Sequence, residues 1–251
     1  MRVLLTNDDG IYAQGLRALQ AELESLCELW VVAPASEQSA TSHSLTLETI
    51  LRRRKLSDRV YSVSGTPADS VLMAFNGVME SNPPDLVISG INHGPNMGED
   101  VHYSGTVAAA IEAAILGIPA MAISVTSFRE PNFEAAVQYV SRMVRNEAES
   151  LTVPGTLLNV NVPSLPWNEV RGVEVTRLGS RFYGDVIIRK KDPREKEYFW
   201  IGGEEPTWED EKYTDFYTVH REKKISITPL LLDLTNHERL AQMKNWSREL
   251  P

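Results

Sequence analysis

The sequence predicts an α/β protein: a parallel sheet with helices on both faces. Two observations carry this expectation, the strand-length apolar runs and the helical spacing of the segments between them. Over the first 165 or so of its 251 residues, short apolar runs alternate with segments whose apolar residues recur at helical spacing. Strands interleaved with helices in this way pair in parallel through right-handed crossovers. A third observation, that the last third of the chain turns to β-like runs, adds a smaller C-terminal part. The expected architecture is a Rossmann-like three-layer sandwich with a C-terminal β-hairpin extension and a terminal helix.

Taken in order, Arg2 to Thr6 is a strand, followed by a polar turn and a helix from Gln14 to Leu26 with Leu16, Leu19, Leu23 and Leu26 on one face. Glu28 to Ala33 is a second strand ending at Pro34. Thr66-Pro67, followed by Val71, Leu72, Phe75 and Val78, supplies an N-cap, a proline at the first helical position and an apolar face. Asp85 to Ser89 reads as a buried strand, Ser104 to Leu116 as an alanine-rich helix, Ala120 to Val125 as a strand, Asn132 to Glu149 as a helix and Leu157 to Val162 as a strand. Residues 1–165 are thus expected to form the catalytic core.

Residues 166–251 read as an extension that mediates oligomerisation. Phe182 to Lys191 and Tyr198 to Gly203 flank Asp192-Pro193-Arg194 as a protruding hairpin, and Glu204 to Glu211 is an acidic loop expected to be mobile. Ser226 to Leu232 is a late strand completing the core, and Asn236 caps a last helix through Leu240, Met243 and Trp246. A two-stranded hairpin is marginal alone, so Phe182, Tyr198, Phe199 and Trp200 are expected to meet a partner subunit.

Composition bounds the function. With 42% hydrophobic and 24% charged residues the chain can bury a core. A formal charge of -9 argues against a nucleic-acid groove. The basic runs Arg52-Arg53-Arg54-Lys55 and Arg189-Lys190-Lys191 fit solvated strand edges. No apolar run approaches the roughly 18 to 20 residues that span a bilayer, and no signal-peptide pattern opens the chain, so a cytoplasmic address and no membrane partner are expected. The single cysteine, Cys27, sits among Leu26, Leu29 and Trp30 and reads as a packed thiol.

The chemistry is expected after the strands, because parallel sheets bind ligands at the carboxyl ends of their strands. Asp8 and Asp9 follow the first strand in a turn punctuated by Gly10, and paired carboxylates there suit a hard divalent ion; Ser39 and Asn92, after later strands, add oxygen donors. An isolated Asp-Asp-Gly caps a helix just as well, and it is the rest of the cleft that separates the two readings. Ser89 to Gly98 carries three glycines, two asparagines and a histidine in one stretch, built for close backbone approach. It leads to Ser104-Gly105-Thr106 at a helix start, where free N–H groups and the positive dipole end favour an anion such as phosphate. A metal cradle beside such a helix end fits phosphate ester hydrolysis. Walker-type and dinucleotide glycine signatures are absent, and five scattered histidines with one cysteine show no zinc spacing. His43, His93 and His102 lie near the cleft loops, whereas His220 and His237 read as surface residues.

Asn7-Asp8-Asp9-Gly10, Ser39 to Leu47, Gly65-Thr66-Pro67-Ala68-Asp69, Ser89-Gly90-Ile91-Asn92, Gly94-Pro95-Asn96-Met97-Gly98 and Tyr103 to Ala110 together closely resemble the survival protein E (SurE) family, and Ser226-Ile227-Thr228-Pro229-Leu230 resembles its late strand motif. The resemblance implies a metal-dependent 5′-nucleotidase, active also on 3′-nucleotides and in some members on short polyphosphate. It implies one divalent ion per subunit, Mg²⁺ or Mn²⁺, on Asp8, Asp9, Ser39 and Asn92, with Asn96, Ser104, Gly105 and Thr106 on the phosphate side. It also implies a homodimer or homotetramer assembled through the C-terminal hairpin. His93 is given no role.

The resulting expectation is a phosphomonoesterase acting on nucleoside monophosphates, in which the ion activates water and Asp8 or Asp9 serves as ligand, base or nucleophile. Two other classes fit the same residues. A non-catalytic mononucleotide sensor would bind without turnover, and a sugar-nucleotide transferase using Asp8-Asp9 would need a second substrate.

Overall fold

The computed structural model describes residues 1–151, 153–182, 187–202 and 207–243. From the N-terminus the chain runs through β1 (Arg2–Thr6), α1 (Gln14–Leu23), β2 (Glu28–Pro34), β3 (Arg53–Ser57), β4 (Val60–Val63), α2 (Pro67–Met73), β5 (Leu86–His93), α3 (Gly105–Ile115), β6 (Ala120–Val125), α4 (Glu134–Asn146), α5 (Ala148–Leu151) and β7 (Leu157–Val162). It continues through β8 (Val173–Val175), β9 (Arg181–Phe182), β10 (Ile187–Lys191), β11 (Glu197–Ile201), β12 (Thr207–Trp208), α6 (Asp215–His220), β13 (Ile225–Pro229) and α7 (His237–Met243).

One nine-stranded sheet, in the order β3-β4-β2-β1-β5-β6-β7-β13-β8, forms the middle layer. The alternation of side chains along a strand explains why it needs helices on both sides. Val3 and Leu5 of β1 join the core beneath α1 and α4, with Leu16, Leu19 and Val140. Leu4 between them joins the core beneath α2 and α3, with Val71, Val107 and Ala110. Every residue of β6 is buried, as expected of a central parallel strand covered twice.

The strand order reverses at β1. β2 lies on one side of it and β5 on the other, both parallel to it. The carboxyl ends of β1 and β5 therefore flank a topological switch point, where the connections diverge and leave a crevice. Thr66 caps α2 in a reciprocal box with Asp69, behind Pro67 at the first helical position. Ser104 caps α3, its Oγ accepting from the Val107 N–H at 3.1 Å.

The structure departs from the sequence expectations in several places. α1 stops at Leu23 instead of Leu26, because Leu26 N–H and Cys27 N–H turn back onto the Leu23 carbonyl. β5 continues past Ser89 to His93 after a register shift between Ser89 and Asn92, so Asn92 is a strand residue paired with Ser124. Asn132 accepts from the Glu134 N–H, but regular α4 begins at Glu134 and ends at Asn146. The sheet is mixed: β13 joins antiparallel to β7, and β8 pairs parallel with β13. The acidic stretch holds a strand, since Thr207–Trp208 pairs with Arg181–Phe182; Glu204, Glu205 and Pro206 lie outside the described residues.

Arg53, Arg54 and Lys55 of the first basic run do lie on an edge strand, β3, with Arg52 just before it, and the outer side of β3 has no partner among the described residues. The hairpin β10–β11 stands apart as a two-stranded ribbon exposed along its whole length. Asn236 Oδ1 accepts from Arg239 N–H at 2.7 Å and so caps α7; Trp246 lies outside the described residues. No helix among the described residues is long and apolar enough to cross a membrane.

Candidate metal and phosphate site

The turn after β1 is tied internally and from above. The Asn7 side chain donates to the Gly10 carbonyl at 3.0 Å, and Gln38 N–H, on the loop after β2, donates to the Asp8 carbonyl at 2.8 Å. Gly10 has φ +97°, and a Cβ there would stand 3.2 Å from the Ser36 backbone, so only glycine suits the position. This turn aims Asp8 and Asp9 into the crevice between the β1 and β5 ends.

Asp8 is buried against the start of α3. Its Oδ1 accepts from the Thr106 hydroxyl at 2.6 Å, and a Cβ on Gly105 would lie 2.7 Å from the Asp8 Cβ. Gly105, which the family resemblance sets on the phosphate side, makes room for Asp8. Burial pushes the Asp8 pKa up to about 6, against the lowering effect of the Thr106 hydroxyl. Asp9 is half-buried, and its Oδ2 accepts from the His93 N–H at 3.3 Å. Burial raises its pKa to about 6 as well; the His93 N–H opposes the shift and the Glu37 carboxylate adds to it. Ionisation of these two neighbouring acids is thus disfavoured, with no cationic side chain among the groups that shift them.

The remaining expected residues come from two other strand ends, those of β2 and β5. Asn92 donates Nδ2 to the Gly94 carbonyl at 2.9 Å, which leaves its Oδ1 as the uncommitted oxygen. Ser39 is exposed on the loop after β2 and donates its hydroxyl proton to Glu37 Oε1 at 2.6 Å, so its oxygen lone pairs stay available. Asn96 is buried and held from three sides: its Nδ2 donates to Ser124 Oγ at 2.7 Å, its N–H to Asn161 Oδ1 at 2.9 Å, and its carbonyl accepts from Asn159 and Asn161. These bonds fix the Asn96 backbone on β7 and point its amide at Ser124, while Asn159 Oδ1 itself stays without a partner.

Asp8, Asp9, Ser39, Asn92, Asn96 and Ser104 all line one cleft of about 980 Å³. Gly105 and Thr106 stand one step behind it, in contact with Asp8. Sequence reasoning does not reach Asn159 and Asn161, although two asparagines at alternate positions of the apolar strand Leu157–Val162 are a visible signal. It does not reach Glu37 either, two residues before Ser39. His93 lines the cleft with its ring 5.1 Å from Phe133 and burial lowering its pKa. His43 instead pairs with the buried Glu112 of α3 at 2.7 Å and lines, with His102, a separate apolar groove.

The donor set fits a hard divalent ion. It consists of oxygens, two of them from carboxylates, with an amide oxygen left free by its own hydrogen bonding. Among the described residues no three His, Cys, Asp or Glu side chains cluster as ligands, so an ion held here would have to draw on neutral oxygens such as those of Asn92 and Ser39.

The family profile described as "Survival protein SurE" matches residues 3–185. The chain is 49% identical over 254 residues to a protein of Gemmatimonas aurantiaca named 5′-nucleotidase SurE, covering 99% of this chain and 100% of that one. It is 45% identical to a Vibrio parahaemolyticus protein of the same name, covering 99% and 95% respectively. A crystal structure of the SurE protein from Aquifex aeolicus superposes with a TM-score of 0.87 at 41% identity, covering 98% of this chain and 99% of that one.

Proposed function

Since the chain belongs to the SurE family, we propose that it is a phosphomonoesterase that hydrolyses nucleoside 5′-monophosphates with a divalent metal ion, Mg²⁺ or Mn²⁺. One observation carries the reading: Asp8, Asp9 and Asn92 meet Asn96 and Ser104 in a single cleft at the switch point of the sheet. Proteins 49% and 45% identical to this chain bear the name 5′-nucleotidase, which supports the substrate class. The family resemblance extends the range to 3′-monophosphates and short polyphosphate.

Asp8, Asp9, Asn92 and Ser39 would hold the ion, which when bound polarises a phosphoryl oxygen and acidifies water. Asn96, immobilised by Ser124, Asn159 and Asn161, and Ser104 at the start of α3 orient the phosphate. Gly105 and Thr106 act through Asp8, by letting its carboxylate close onto α3 and by holding Oδ1. Asp9, half-buried where Asp8 is buried, is the better placed of the pair to accept a proton in the cleft. The exposed apolar side chains of β10–β11, among them Phe199, Trp200 and Ile201, support assembly of subunits through that hairpin.

The test is phosphate release from 5′- and 3′-mononucleotides with Mg²⁺, Mn²⁺ or EDTA, comparing wild type with Asp9→Asn. Release that needs the metal and disappears in the variant is expected. No release with any metal would turn the reading to a mononucleotide sensor.

A further inference from the structure

The polar floor of the cleft is edged by exposed aromatic rings. Tyr12, 60% exposed, Tyr103, 60% exposed, and Phe128, 75% exposed, all line it. They come from three separate segments: the β1–α1 loop, the turn before α3 and the loop after β6. Rings this open forgo the burial that makes aromatic side chains favourable elsewhere in a fold.

Two of the rings are nevertheless seated. The Arg17 guanidinium lies 5.2 Å from the centre of the Tyr12 ring. Phe128 rests against Gly94, where an added Cβ would come within 2.1 Å of its Cε1 and 2.5 Å of its Cδ1. Gly94, whose φ of +110° already calls for glycine, thus also forms the seat of that ring. A ring supported on one side and open to the cleft offers a flat apolar face beside a floor of carboxylates, amides and hydroxyls. Pockets of roughly 300–1,000 Å³ enclose small organic ligands, and this one, at about 980 Å³, has room for a whole nucleotide.

We infer that Phe128, with Tyr12 and Tyr103, forms a stacking rim that selects phosphomonoesters carrying a planar heteroaromatic base. The inference rests on the phosphatase reading of the floor and adds the part of the substrate that the floor does not touch. Stacking tolerates any base because each has a π-face. Base-bearing esters are therefore preferred over aliphatic ones, and purines over pyrimidines by their larger ring area.

The experiment uses the full chain and its Phe128→Ala and Phe128→Tyr variants, both at an exposed position where the fold tolerates change. KM and kcat are measured for adenosine 5′-monophosphate and for ribose 5-phosphate, and binding of adenosine alone is followed by equilibrium dialysis. The expected result is a rise of about tenfold in KM for the nucleotide in Phe128→Ala with kcat within about twofold, recovery in Phe128→Tyr, and no change for ribose 5-phosphate. Adenosine binding weakens by a similar factor in Phe128→Ala. Equal effects on both esters, or no adenosine binding by the wild type, overturn the rim. Adenosine binding that depends on Phe128 in a protein that releases phosphate from neither ester supports the rim and overturns the phosphatase reading.

Discussion

Replacing Asp8 by asparagine should stabilise the metal-free protein while destroying its activity. Burial raises the Asp8 pKa from 3.8 to about 6, so the folded state holds its proton more tightly than the unfolded state does. Stability contributed by the protonated carboxyl is full below the unfolded value of 3.8, falls as pH rises through the window up to about 6, and is absent above it. About two pKa units at 1.36 kcal/mol each make the ionised Asp8 worth about 3 kcal/mol of lost stability at pH 7. The substituted amide would keep an oxygen for the Thr106 hydroxyl and remove the charge. At pH 7 the EDTA-treated Asp8→Asn variant is therefore expected to unfold at a temperature higher by about 6–12 °C, since a chain of this size shifts roughly 2–4 °C per kcal/mol. At pH 4 the two proteins should nearly coincide. Calorimetry or urea unfolding from pH 4 to 8 reads this directly. Addition of Mg²⁺ or Mn²⁺ should raise the wild type far more than the variant, because a ligand stabilises only the state that binds it. A variant less stable than wild type at pH 7, or a difference independent of pH, would refute the picture of Asp8 as an uncompensated buried charge.

The packing around the site sets two further outcomes. Gly105→Ala puts a Cβ 2.7 Å from the Asp8 Cβ and 2.9 Å from its Oδ2, so kcat/KM should fall by about tenfold or more while helix content in circular dichroism is retained; unchanged kinetics would mean that Asp8 needs no fixed position. Asp215 is fully buried and accepts the N–H groups of Gly98, Gly179 and Phe216 at 2.8 to 2.9 Å, joining the cleft loop to the C-terminal part. Asp215→Ala should lower stability by about 3–5 kcal/mol in urea unfolding, because two buried donors and a half-buried one lose their acceptor, and a loss below about 1 kcal/mol would contradict that role.

Much of this protein was legible in the sequence because the signals are local. Strand and helix periods fix β1, β2, β6, β7, α1 and α3 within a few residues, since each must bury its apolar positions against a neighbour. Asn7-Asp8-Asp9-Gly10 and Asn92 stood out because they follow predicted strands, Ser104 because it caps a predicted helix, and Asn96 only through the family resemblance. The acidic stretch misled because two residues of strand, Thr207–Trp208, leave no periodic trace. β13 was visible as a strand, yet its antiparallel docking on β7 was not, because direction is set by where the chain returns and not by side-chain pattern.

What the sequence determined by itself was the alternation of elements and the type of donors available: oxygen-rich loops after parallel strands, in a chain whose charge disfavours a nucleic-acid partner. Only the tertiary structure decided who meets whom. Thr106, with Gly105 beside it, turns to Asp8 across 98 positions of sequence, while Asn159 and Asn161 reach back over 63 and 65 positions to lock Asn96. Burial of Asp8, and with it the raised pKa, likewise exists only once β1 and α3 are packed together. A residue's type is local, but its dielectric surroundings and its hydrogen-bond partners are properties of the assembled fold.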